Sequence, residues 1–314
     1  MTLLQLIPDY RERVWGGQRL RPGSQPPIGE AWIVYEGNRV AGGPWAGRTL
    51  AEVTAEQGAA LLGDSVFRRT GARFPLLIKL LDCADWLSVQ VHPNDEQAVA
   101  LEGPGHFGKT EAWHIVAAEP EARLIAGVRP GATRAAIAEA IRAGSILDWV
   151  QYHPVHAGDT VFMPAGTLHA LGPGLLLYEV QQTSDITYRV FDWNRPASAG
   201  RALHIEQSVV VTETMATGQP APLPRVQAND PCALVTCNYF TLDLIAAQEG
   251  VMPLEAGGQS FQALTVIEGE AVVARGAEAV TLRRFETVIV PAAGEASELR
   301  PNGACRVLRA RGGG

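Results

Sequence analysis

Gln90 and His92 are separated by one residue inside Trp86-Leu-Ser-Val-Gln-Val-His-Pro93, and Lys109 and Glu111 are spaced the same way inside Gly108-Lys-Thr-Glu-Ala-Trp113. In an extended chain, successive side chains point to opposite faces, so each pair projects from one face of a strand. A third segment, Gly158-Asp-Thr-Val-Phe-Met-Pro-Ala-Gly-Thr-Leu-His169, brings another imidazole to a strand end. Two imidazoles, a carboxylate and an amide oxygen turned into one cup would supply ligands for a borderline divalent ion, zinc before others. Residues 76–169 are therefore read as the centre of the protein.

The rest of the chain reads as β structure with a few helices. Short extended pieces punctuated by Gly and Pro fill residues 1–49. Thr49-Leu-Ala-Glu52 matches a capping box and predicts a helix up to Leu62, stopped by Gly63. Asn94-Asp-Glu-Gln97 predicts a second, ending near Gly103. The Ala-rich residues after Thr133 predict a third, stopped at Gly144 and followed by a further helical turn or two over 146–152. Strands are expected over 74–82, 86–92, 109–117, 123–128, 160–163, 175–181 and 187–193. A loop follows over 195–200, then a helical link over 203–211.

Residues 217–231, rich in Pro and polar side chains, read as a linker between a domain of residues 1–216 and one of 232–314. In the second, short strands recur every 8–12 residues, as in a β-sandwich. That region contains no histidine, since the last is His204, so no second metal site is expected there.

Charge and composition narrow the function. Twenty-six basic against 33 acidic residues leave a net charge of −7, which offers no electrostatic attraction for nucleic acid or an anionic membrane. No apolar run approaches a membrane span of about 18 residues, and the first residues lack a basic, apolar leader. Four cysteines without CxxC spacing point to reduced thiols. A cytoplasmic location is expected. Of the 26 basic residues, 24 are Arg, and the two lysines, Lys79 and Lys109, both fall in the central stretch. Lys offers a compact ammonium that burial can deprotonate, which Arg does not.

The spacing G-x5-P-x-G-x2-H at 158–169 fits the second cupin motif, and residues 258–291 are similar to a degenerate cupin without ligands. Cupins are double-sheet jelly rolls. The first motif departs from the usual cupin H-x-H by having Gln90 in place of the first histidine. With Gly-Lys-Thr-Glu-Ala-Trp, Pro-Ala-Gly-Thr-Leu-His-Ala and Tyr188-Arg-Val-Phe-Asp-Trp193, that departure makes the chain resemble the type I mannose-6-phosphate isomerases in their short bacterial form. The resemblance covers most of residues 5–215 and, more weakly, the C-terminal region.

The resemblance implies a mainly β fold of two jelly-roll (cupin) β-sandwich domains, with a few helices inserted in or capping the N-terminal one. It implies a zinc-dependent aldose-ketose isomerase, with one Zn2+ per chain on Gln90, His92, Glu111 and His169. It makes Arg189 catalytic, a stabiliser of the enediolate, and places Lys79 and Lys109 in the sugar-phosphate pocket, to hold phosphate or transfer protons. The general base stays open among Lys109, Lys79, a glutamate and water on the metal. The expected partner is a small sugar phosphate, with no nucleic acid or membrane, and the chain acts as a monomer or homodimer. Two alternatives are a related isomerase for another aldose or phosphosugar and a sugar-binding cupin without turnover. The family has an aromatic where this chain has His114. His106, His114, His153, His156 and His204 are otherwise read as structural or surface residues. Trp86, Trp113 and Trp193 are read as core or cavity wall, and Asp185 or Asp192 as possible partners of Arg189.

Overall fold

A computed structural model describes residues 1–196, 201–254 and 258–313. Residues 197–200 of the loop expected over 195–200 lie outside them. The chain forms two compact units, one built from Met1–Asp9, Trp32–Lys79 and Leu223–Gly314, the other from Tyr10–Ala31 and Leu80–Pro222. The fold is mainly β with few helices, and its sheets are antiparallel.

In the second unit a five-stranded sheet orders Tyr188–Phe191, Val89–Val91, His169–Leu171, Arg123–Val128 and Val150–Pro154 as neighbours. The other sheet runs from Pro220–Ala221 through Thr160–Met163, Glu111–Ala118 and Leu175–Gln182 to Leu76–Cys83, the strand in which the chain passes between units. Alternation sorts the side chains. Leu124, Ala126 and Leu171 from the first sheet meet Trp113, Ile115 and Leu177 from the second in one buried core. Ile125, Ala170, Val89 and Val91 face the opposite way, where Ile137 and Ile141 of the helix Arg134–Ala143 cover them. The period of two thus separates an inner face, which holds the site, from an outer face packed by a helix.

The first unit contains a six-stranded sheet in the order Leu4–Gln5, Thr287–Val290, Gln262–Glu268, Cys305–Gly312, Phe240–Ala247, Cys232–Thr236. A four-stranded sheet orders Met252–Leu254, Ser297–Pro301, Ala271–Arg275 and Glu278–Leu282. Ile245, Leu264 and Val307 from the one pack with Val273, Leu282 and Leu299 from the other.

Local signals are met at several element ends. Thr49 and Glu52 form the expected capping box, as do Asn94 and Gln97. Thr133 caps Arg134–Ala143, and Gly144 ends it in the left-handed conformation at φ 71°. Two readings are corrected. Gly58, at φ 49°, divides the first expected helix into Leu50–Gln57 and Ala59–Leu62. Gly63 stops Ala59–Leu62 as expected, and a further helix, Asp64–Thr70, follows it. The turn Ile146–Asp148 gives way to the strand Val150–Pro154, because pairing with Arg123–Val128 captures the β-branched Val150. Among the described residues no helix is long and apolar enough to cross a membrane.

Candidate metal centre

Strand register brings three of the expected residues into one row. Arg189 is paired with Gln90, and Gln90 with His169, across three neighbouring antiparallel strands. Residues directly opposite in such a ladder project from the same face with Cβ atoms about 5 Å apart. His92 follows Gln90 by two residues and shares that face. Glu111 arrives from the other sheet, paired with Met163 and Gln181, and shares its face with the inward-facing Trp113 and Ile115.

The side chains converge. His169 Nε2 lies 3.3 Å from Glu111 Oε1 and His92 Nε2 lies 3.6 Å from Glu111 Oε2. One ligand atom from each of the three falls within 4.8 Å of the others. The Gln90 amide reaches 3.2 Å from His169 Nε2, and a half-turn of that amide exchanges its nitrogen and oxygen at the same place. Lys109 Nζ sits 3.0 Å from His92 Nε2 and 3.2 Å from Glu111 Oε2. Glu111 is 0% exposed, His92 and His169 1% each and Lys109 4%, so water screens none of these charges well.

His169 is oriented by its own chain. Its Nδ1–H donates to the Thr167 carbonyl at 2.8 Å, which leaves the lone pair on Nε2 aimed at the cluster. Burial lowers its pKa from 6.5 to about 4, with the Lys109 ammonium acting in the same direction, so the imidazole is neutral near pH 7. Gly166 makes the turn before it at φ 85°, a conformation that suits glycine. Two imidazole nitrogens and a carboxylate, all buried, converge on one small space. Nitrogen, nitrogen and carboxylate oxygen with an amide oxygen beside them is a donor set that fits zinc.

Arg189 stands at the side of this row. It is half-buried, its Nη1 donates to the Ala202 carbonyl at 3.0 Å, and its buried Nε has no hydrogen-bond partner among the described residues. Asp192 is bonded instead by Arg195 and Arg201. Burial, with Arg201 nearby, pulls the Arg189 pKa below its ordinary value against the opposing pull of Asp192. Lys79 lies in the first unit, buried on Leu76–Cys83, with Nζ 5.2 Å from the centre of the Trp32 ring.

Of the remaining histidines, His106 and His156 are exposed, and His114, His153 and His204 are hydrogen-bonded within the fold. His114 faces away from the cluster and bonds Thr160 Oγ1 at 3.0 Å, and His153 bonds the Ala126 carbonyl. His156 is exposed beside Asp159, while His204 Nδ1 accepts from the Arg189 backbone N–H. Trp113 is core, its indole N–H donating to Glu179 at 2.9 Å. Trp86 and Trp193 pack on each other at 4.9 Å and against the outer cluster. The Thr167 carbonyl was not foreseen from sequence, because a backbone acceptor leaves no mark on residue identity.

Comparison with known proteins gives the site a context. Residues 3–111 match the family described as phosphomannose isomerase type I, catalytic domain. The chain is 35% identical over 303 residues to the mannose-6-phosphate isomerase of Streptococcus mutans, covering 92% of each chain. Its structure is similar to that of the mannose 6-phosphate isomerase from Bacillus subtilis at 29% identity and a TM-score of 0.79, covering 99% of both chains. A zinc-bound mannose 6-phosphate isomerase shares the fold at 16% identity and a TM-score of 0.76, with 100% of both chains covered.

Proposed function

The chain belongs to the type I mannose-6-phosphate isomerase family, and from that premise we infer that it interconverts mannose 6-phosphate and fructose 6-phosphate with the aid of zinc. The observation that carries this reading is the buried His92, Glu111 and His169 cluster with the Lys109 ammonium 3.2 Å from its carboxylate. Gln90, His92, Glu111 and His169 would hold the ion, which, when bound, polarises the carbonyl and hydroxyl oxygens of the opened sugar as a Lewis acid.

The reaction moves one hydrogen between neighbouring carbons. A proton leaves C2 of the aldose, the electron pair delocalises into an enediolate, and a proton returns at C1, while the oxygen-bound proton shifts from O2 to O1. The proton carrier must lie beside the reacting carbons and be able to exist without its proton. We assign that role to Lys109, whose buried Nζ lies 3.0 Å from His92 Nε2 and 3.2 Å from Glu111 Oε2 at the cluster. Arg189, which strand register sets in one row with Gln90 and His169, is assigned the stabilisation of the enediolate oxygen. Lys79 is kept as a phosphate-holding residue, a role tested by the KM for phosphorylated against unphosphorylated sugar. We retain a cytoplasmic monomer or homodimer, which fractionation and sedimentation test.

The direct experiment is a coupled assay of fructose 6-phosphate formed from mannose 6-phosphate, before chelation, after it, and after zinc is restored. Turnover that vanishes and returns with zinc is expected. A folded, zinc-loaded protein without turnover would overturn the reading, and other aldoses and phosphosugars would then be assayed.

A further inference from the structure

We propose that Asp95 and Gln182 are positioning residues for Lys109, acting through the backbone on either side of it; the proposal rests on the isomerase reading above. Residues 108–110 precede the strand Glu111–Ala118, so the sheet ladder does not hold their amides. Each of the three finds a separate acceptor. Gly108 N–H donates to Asp95 Oδ1 at 2.8 Å, Lys109 N–H to the Pro93 carbonyl at 2.9 Å, and Thr110 N–H to Gln182 Oε1 at 2.9 Å. Gln182 Nε2–H then donates to the same Asp95 Oδ1 at 2.9 Å. The bonds close a ring that runs from Gly108 through Asp95 and Gln182 to Thr110, with Lys109 at its apex.

Both members of the ring are themselves anchored. Asp95 opens the helix Asp95–Glu102, whose start is held by the Asn94 and Gln97 capping box. Gln182 ends the strand Leu175–Gln182, and its own N–H donates to the Thr110 carbonyl at 3.2 Å. Gly108 packs so tightly on the helix start that an added Cβ would fall 2.5 Å from the Asn94 carbonyl carbon and 2.6 Å from the Asp95 nitrogen. The long Lys109 side chain therefore leaves from a Cα fixed on both sides, and its Nζ reaches His92 and Glu111 at 3.0 and 3.2 Å. A misplacement of about 1 Å at a reacting group costs on the order of 100-fold in rate.

The test compares zinc-loaded wild type with Asp95→Ala, Gln182→Ala and Asp95→Asn by kcat, KM for mannose 6-phosphate, zinc content, melting temperature and amide exchange at 108–110. In both alanine variants kcat is expected to fall ~10- to 100-fold with KM within about threefold, while zinc is retained. Exchange at 108–110 accelerates and the strand amides of Glu111–Ala118 stay protected. Asp95→Asn, whose amide oxygen can accept both N–H groups, restores kcat and protection. Wild-type kcat in both alanine variants would overturn the proposal. So would a loss of kcat that merely follows lost zinc or lowered melting temperature, or an Asp95→Asn as impaired as Asp95→Ala. If Asp95→Ala does not fold, Gln182→Ala carries the same test. A wild type that does not turn over mannose 6-phosphate would sink the isomerase reading, while the exchange data would still decide the ring.

Discussion

Arg189 lies directly opposite Gln90 in the antiparallel pairing of Tyr188–Phe191 with Val89–Val91. One strand further on, Gln90 lies opposite His169. The guanidinium is thereby tied to the metal-facing residues by strand register and not by any bond to them. Removing it leaves the ligand set in place. Arg189→Ala is expected to keep zinc and to lose ~100- to 1000-fold in kcat, and Arg189→Lys to recover little of it, since an ammonium lacks the planar fork. Steady-state kinetics with zinc analysis would check this; near wild-type kcat in Arg189→Ala would remove its assigned role.

Lys109 neutralises part of a carboxylate that has no access to water. Breaking a buried ion pair from one side costs several kcal/mol, commonly about 3–5, because the remaining charge stays buried. Lys109→Met should therefore destabilise the chelated protein by that order, and destabilise the zinc-loaded protein by less, because the ion also faces Glu111. Urea unfolding with and without chelator measures the difference, and equal losses in both states would contradict it.

His169 links stability to pH in the metal-free protein. Its pKa is about 4 in the fold and 6.5 ordinarily, burial being the main cause. Between these values the unfolded chain binds a proton that the folded chain refuses. The contribution is thus fully present above pH 6.5 and is lost as the pH falls toward 4, roughly 3 kcal/mol in all. In His169→Asn the same acid titration of chelated protein should be flatter by about that amount. An unchanged slope would show that this imidazole does not titrate as described.

Trp113 couples the core to the site, with its ring edge-on to His169 at 5.4 Å and its N–H on Glu179. Trp113→Phe keeps most of the apolar volume but deprives a buried carboxylate of a donor, at a cost of about 1–3 kcal/mol. Thermal unfolding against the wild type reads it. A loss of zinc larger than the loss of stability would show that the indole also orients His169.

Much of the fold and site was legible in the sequence because the signals were local. A capping box needs only four residues, and Thr49 with Glu52 and Asn94 with Gln97 form as read. The helix divided at Gly58 was missed because a run of good helix formers does not reveal that one glycine adopts a positive φ. The strand Val150–Pro154 was read as helical because the neighbouring turn favours helix and only its pairing partner, Arg123–Val128, favours strand.

The sequence by itself determined that Gln90 and His92 share a face, that Lys109 and Glu111 are spaced to do the same, and that His169 ends a turn carrying Gly166. These follow from the two-residue period of an extended chain and from the turn chemistry of a few neighbours. Tertiary structure alone decided that Arg189, Gln90 and His169 form one row, that Glu111 reaches them from the opposite sheet, and that Asp95 and Gln182, 87 residues apart, meet around Lys109. Strand neighbours are chosen by the burial of whole apolar faces against one another, a sum over many distant residues. Only the packed chain evaluates that sum.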